Sequence, residues 1–300
     1  MSTTTLDRPI KAPTFRDVSA SRKLRNNLAT VVMWLCFAIA LVPLGWVLIL
    51  VIQKGLHAAT RNGWWTRSQR GILPDQYGGG VYHAIYGTII QSAMAAVIAV
   101  PLGILAAIFL VEYGRGLLAK VTTFMVDILA GVPSIVAALF VFALWIATFG
   151  FPQSAFAVSL ALVLLMLPVV VRSTEEMLKL VPDELREASY ALGIPKWKTI
   201  LRIVVPTAAP GMISGMLLAL ARVMGETAPV LVLVGYSKSI NYNIFNGNMA
   251  SLPLMIYQEL SNPEPAGRAR VWGAAFTLIA IIALLYLAAA AANKLLTRNR

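Results

Sequence analysis

The stretch LALARVMGETAPVLVLVG, residues 218–235, is apolar enough for a membrane helix, yet it holds Arg222 and Glu226. A charge at the centre of a membrane helix costs roughly 2.5–3.5 kcal/mol on the insertion scale. If this stretch spans, the chain is a polytopic membrane bundle that has a use for those charges. The residues around it decide the matter.

Working outward, the whole chain has been stripped of charge. Of its 300 residues, 58% are hydrophobic and 13% charged, about half the charge of a soluble domain, where roughly a quarter of residues are charged. Length alone would suit one or two soluble domains, but apolar runs override that reading. A lone Cys36 excludes an internal disulfide and is most simply a small hydrophobe. His57 and His83 stand apart from each other and from any cysteine, so no zinc spacing exists. The formal charge of +12 does not point to nucleic acid, because the basic residues flank apolar runs.

Six runs are long enough to cross hydrocarbon, which takes about 20 residues. They fall near 28–52, 84–111, 121–148, 154–171, 203–235 and 271–293. The expected fold is all-α, a membrane bundle of about six helices. The fifth run contains Pro206, Pro210 and Pro229, which predicts an interfacial entry or an unwound part. Residues 1–27 form a basic tail and 28–300 the membrane domain. The tail is too long, and the first run too extended, for a cleaved signal, so the first helix is read as retained.

Lysine and arginine set the orientation. With the N-terminus inside, the inside segments carry six, two, six and three basic residues. The outside loops carry four and three, and Arg222 is left within a span. Both termini are therefore expected in the cytoplasm. In the first outside loop, 53–83, Trp64 and Trp65 read as interface anchors. The second, 236–270, is partly apolar around NMASLPLMIYQEL and suits a short helix.

The third inside segment, STEEMLKLVPDELREASYALGIPKWKTILRIVVP, is the most organised loop. Pro182 suits a helix start, Asp183 and Glu184 favour a first turn, and Gly193 suits the residue after a helix end. A helix over 182–192 follows, with Leu185, Ala188, Ala191 and Leu192 on one stripe and Glu184, Arg186 and Glu187 opposite. Such a helix is either an interfacial linker or a contact for a partner's groove.

Arg222 and Glu226 are four apart and would share a helix face. One reading is a structural pair that fixes packing. The other is an anion site, since an arginine fork beside Thr227 and freed backbone near Gly225 and Pro229 suits a tetrahedral oxyanion. Asp127 is a third acid near hydrocarbon and calls for a basic partner or the interface. Pro133 and Ser134 predict a kink. Gly211, Gly215 and Ala219 make a close-packing stripe.

Two motifs carry a family resemblance. Glu187-Ala188-Ser189, Gly193 after three residues and Ile203-Val204-Val205-Pro206 after nine more resemble the EAA loop of ABC-transporter permeases. Ser189 stands for the second Ala and Val205 for Leu. The phrase ARVMGETAP, residues 221–229, and DILAGVPSIVAALF, residues 127–140, resemble segments of phosphate-specific ABC permeases of the A type.

The resemblance implies a coupling loop at about 173–202, with Glu187, Ala188 and Gly193 contacting an ATP-binding subunit. It places Arg222 and Glu226, with Thr227 beside them, on the path of phosphate. It further implies a second permease subunit, two ATP-binding subunits, an extracytoplasmic phosphate-binding protein and a lipid bilayer, with no nucleic acid. This chain has no Walker-type loop, so it is expected to bind no cofactor and to be no enzyme. ATP and magnesium belong to the partners.

Two alternatives stay open. Another oxyanion, sulfate or molybdate, would suit Arg222 equally well. An intramembrane enzyme would use Glu226 and Asp127 as acid and base, though no nucleophile–base pair accompanies them.

Overall fold

A computed structural model describes residues 19–298, so most of the basic tail at 1–27 lies outside the described residues. The described secondary structure is helical throughout. Among the described residues five helices are long and apolar enough to cross a membrane, or six if one sharply bent pair counts as a span.

Helix α1, Ala20–Ala59, is longer than the expected first span. The chain divides into two units at residue 50. Up to Leu50, α1 exposes apolar side chains such as Trp34, Ile39 and Trp46. That all-round apolar surface suits lipid.

The second unit begins at Val51. Its long helices are α2 (Tyr82–Ile108), α5 (Ala155–Lys179), α8 (Val205–Met224) and α11 (Pro265–Arg298). Helix α5 is the most deeply buried of the candidate spans. It packs on α2 and α8 through small residues. Ala95, Ala99, Ala155 and Ala161 are wholly buried. In a bilayer the tails are as apolar as leucine, so close backbone approach and dispersion supply the association. Gly103 of α2 lies against Val170, where a Cβ would collide. Ser159 donates to the Gln91 carbonyl across the same seam at 3.0 Å.

Gly211 and Gly215 of α8 face Met177 and Ser173 of α5. The stripe expected to pack helices thus does so within this chain. It also fixes an antiparallel register, with residue 173 level with 215 and 177 with 211.

Two expected spans are not straight. The third is a pair, α3 (Gly116–Gly131) and α4 (Ser134–Val141), the latter continued by a π-helical run to Thr148. The two halves bend by 107° at Val132 and Pro133. Proline disfavours helical backbone at the residue before it, and Val132 is extended at φ −69°, ψ 124°. The bend is therefore a break, larger than a kink. The fifth span ends at Met224, and a separate short helix, α9 (Ala228–Leu233), follows.

The loop ahead of α2 is built into the fold. Trp64 is 3% exposed and donates from Nε1 to Thr277 of α11 at 3.1 Å. It is a buried packing residue, not an interface anchor. Trp65 is 43% exposed and donates to the Ala59 carbonyl at 2.9 Å. Between α9 and α11, a short helix, α10 (Leu252–Leu260), occupies the stretch where one was expected. Its Glu259 pairs with Arg270 at 3.0 Å, both buried, while Arg270 also donates to the Pro74 and Gln76 carbonyls.

Candidate functional site

Arg222 lies in the last turn of α8, and Glu226 lies beyond its end. Gly225 caps the helix and its N–H donates to the Arg222 carbonyl at 3.1 Å. Pro229 cannot continue a helix from upstream, but it suits the first turn of a new one. So α9 starts afresh after Thr227. The expected shared helix face does not exist. Among the described residues no ion pair joins Arg222 to Glu226, and Arg222 is exposed while Glu226 and Thr227 are half-buried. The break leaves a guanidinium with unspent hydrogen-bonding capacity beside freed backbone.

Asp127 is not part of that cluster. It pairs with Arg172 of α5, which also donates to Glu175 at 2.8 Å. Lys179 closes the network on the other oxygen of Glu175 at 2.6 Å. Arg172 sits within α5. By the packing register it is level with Met216, six residues from Arg222. At 1.5 Å per residue the network lies about 9 Å from Arg222 along the helix axis.

The loop after α5 holds α6, Asp183–Ala191. Pro182 is its N-cap, and Gly193 turns the chain at φ +72°, a region glycine enters without strain. Pro195 then precedes α7, Lys196–Thr199, whose helix runs through a π-helical turn into α8. The expected stripe is exposed: Leu185 at 41%, Leu192 at 79%, with Ala188 and Glu187 also outward. The face turned to the bundle is the one carrying Arg186 and Ser189. Ser189 is 2% exposed and shares a 2.8 Å hydrogen bond with buried Thr199 of α7. The serine that departs from the EAA pattern thus joins α6 to α7.

Two contributors were missed in the sequence, Arg172 and Glu112, while Arg186 was read only as part of the polar face of the loop helix. Arg186 and Glu112 form a pair at 2.9 Å between α6 and the end of the α2 span. The signal available was a lone acid closing an apolar run at 99–113.

Residues 99–299 match the family described as binding-protein-dependent transport system inner membrane component. The chain is 65% identical over its full length to phosphate transport system permease protein PstA 1 of Mycobacterium tuberculosis, covering 97% of that protein. It is 37% identical to PstA of Pasteurella multocida, over 88% of this chain and 92% of that one. This chain belongs to the PstA family of transport permeases.

The permease fold also matches solved transporters. A subunit of a bacterial alginate ABC transporter superposes with a TM-score of 0.61, at 14% identity, over 90% of this chain and 95% of that one. A chain of the inward-facing MetNI methionine transporter gives 0.57 at 19% identity, over 72% and 94%. These likenesses bear on the fold alone; the multi-pass membrane character rests on the family match and the apolar helices.

Proposed function

We propose that this permease is the membrane-spanning subunit of an ATP-driven phosphate importer, contributing half of the translocation path. The observation that carries the reading is Arg222: an exposed guanidinium at a helix break, in a chain whose full-length relatives are named as phosphate permeases. Arginine offers five N–H donors in a planar fork and stays charged at any physiological pH, which matches a tetrahedral oxyanion. Exposure of Arg222 on this chain alone supports a second permease that completes the path around it. Glu226 and Thr227 would border the same passage, and the nearby carboxylate would weaken anion binding enough to permit release.

The exposed stripe of α6, with Glu187, Ala188 and Gly193, docks an ATP-binding subunit. Two such subunits, with their ATP and magnesium, power the cycle. An extracytoplasmic phosphate-binding protein delivers substrate to the opposite end. Both chain ends lie in the cytoplasm, as the basic residues favour. The chain itself performs no covalent chemistry, and Asp127 is engaged by Arg172 rather than poised as an acid or base.

The test is phosphate uptake by vesicles that hold the assembled complex, with ATP hydrolysis measured alongside. Arg222→Gln is expected to abolish uptake while assembly and hydrolysis persist. Unchanged uptake would place the path elsewhere. Uptake of sulfate or molybdate in place of phosphate by the wild type would overturn the substrate.

A further inference from the structure

We propose that the Arg186–Glu112 pair is the strut that carries a displacement of α6 into α2, making both residues positioning residues for transport. The inference rests on the reading that α6 docks an ATP-binding subunit.

The geometry is specific. Arg186 makes five hydrogen bonds, enough to engage all of its N–H groups. Nε and Nη2 reach Glu112 Oε1 at 3.1 and 2.9 Å. Nη1 donates to the Val181 carbonyl at 2.7 Å and to Asp183 Oδ1 at 3.1 Å. Nη2 also donates to the Leu178 carbonyl at 3.0 Å. The Leu178 carbonyl belongs to the last turn of α5 and the Val181 carbonyl lies two residues beyond its end, the region where backbone acceptors run short of helical partners. One side chain of α6 therefore terminates α5 and grips α2 together.

The grip is dry and stiff. The Arg186 side chain is 12% exposed and that of Glu112 5%. A planar guanidinium holding three elements cannot rotate away from one without leaving a buried charge or carbonyl unpaired. Glu112 lies in a π-helical turn, Phe109–Tyr113, that ends the α2 span. Such turns are wider than α-helix and often mark functional sites. The other arm of the loop holds the same turn. Lys196 donates to the Glu112 carbonyl and sits over the Tyr113 ring, 4.7 Å from its centroid.

The outward face of α6 is left free for a partner while its inward face is committed to Glu112. A push on Leu185 or Leu192 must therefore move the end of α2 or break the pair. Because α2 and α5 meet through Gly103 and Val170, the two would shift as one body.

The experiment uses the full complex in vesicles and records phosphate taken up per ATP hydrolysed. Glu112→Gln keeps the shape and the acceptor oxygen but removes the charge. Arg186→Lys keeps the charge but brings three donors to the four acceptors that the guanidinium fork serves. Each variant is expected to lower phosphate per ATP about tenfold, within the usual range of coupling between sites, while ATP hydrolysis per assembled complex persists. A ratio unchanged in both variants, with a working wild type, overturns the strut. Equal loss of uptake and hydrolysis through failed assembly in both also overturns it, since the pair would then only maintain the fold. A wild-type complex that hydrolyses ATP and moves no phosphate overturns the functional reading beneath it instead.

Discussion

Arg222 and Glu226 stand on either side of a helix end: the arginine in the last turn of α8, the glutamate beyond its glycine cap. The spacing of four residues would pair them on an unbroken helix, but the backbone turns away at Gly225. An exposed arginine without an ion-pair partner has little fold to lose. Arg222→Gln should change the stability of the purified chain by less than about 0.5 kcal/mol, as for other exposed positions. A broken buried pair would instead cost about 3–5 kcal/mol. Thermal unfolding of the variant in detergent distinguishes the two.

The charge network on α5 predicts an asymmetry. The Glu175 side chain is 11% exposed and accepts from both Arg172 and Lys179, whereas that of Asp127 is 57% exposed. Glu175→Gln removes the central charge and should cost about 3 kcal/mol. Asp127→Asn leaves Arg172 its other partner and should cost no more than about 1 kcal/mol. Equal losses on thermal unfolding would contradict this division.

Gly87 of α2 lies directly on the backbone carbonyl of Ala250, ahead of α10. Backbone cannot rotate aside as a long side chain does. Nearby, Thr88 accepts the Leu252 N–H at 2.8 Å, so the contact is pinned. Gly87→Ala should destabilise by about 1–3 kcal/mol through overpacking. Gly45, with open space around it, should accept alanine without a clash. A Gly87→Ala chain as stable as the wild type would show that the Ala250 backbone yields to a methyl group without cost.

Tyr236 donates to Gln69 Oε1 at 2.8 Å in the loop region. Burial pushes its phenol above the ordinary value, and the negative charge of Glu259 adds to this, with Arg270 opposing. The folded state thus favours the neutral phenol. The stabilisation is whole below the unfolded value, about pH 10, and is lost as pH rises through the higher folded value. Alkaline titration of the intact chain should show one tyrosine ionising after the rest. Tyr236→Phe should remove that late step and flatten the alkaline loss of stability. A Phe variant with the same titration would assign the step to another tyrosine.

Several of these relationships were legible in the residues and others were not. The apolar runs show that the chain is a membrane helix bundle, because a span depends on length and composition alone. The α6 helix was legible from Pro182 and Gly193, whose effects are local. The small-residue stripe predicted close packing, and Gly211 and Gly215 do approach α5. The 107° bend after Val132 was visible as a proline but not in its size, because the angle depends on what the two halves pack against. Trp64 misled, since an amphipathic ring serves equally at an interface or in a core with a hydroxyl in reach.

What the sequence by itself determined is the apolar runs long enough to span, the loop helix between Pro182 and Gly193, and the charges left among apolar residues. Each follows from a few neighbouring residues and from the cost of charge and bare backbone in hydrocarbon. What only the tertiary structure decided is which charges meet. Asp127 finds Arg172 across 45 residues and Arg186 finds Glu112 across 74, while Arg222 and Glu226, four apart, do not pair. Ion pairing acts over a few ångströms of space, and separation along the chain measures that space only while the helix remains unbroken.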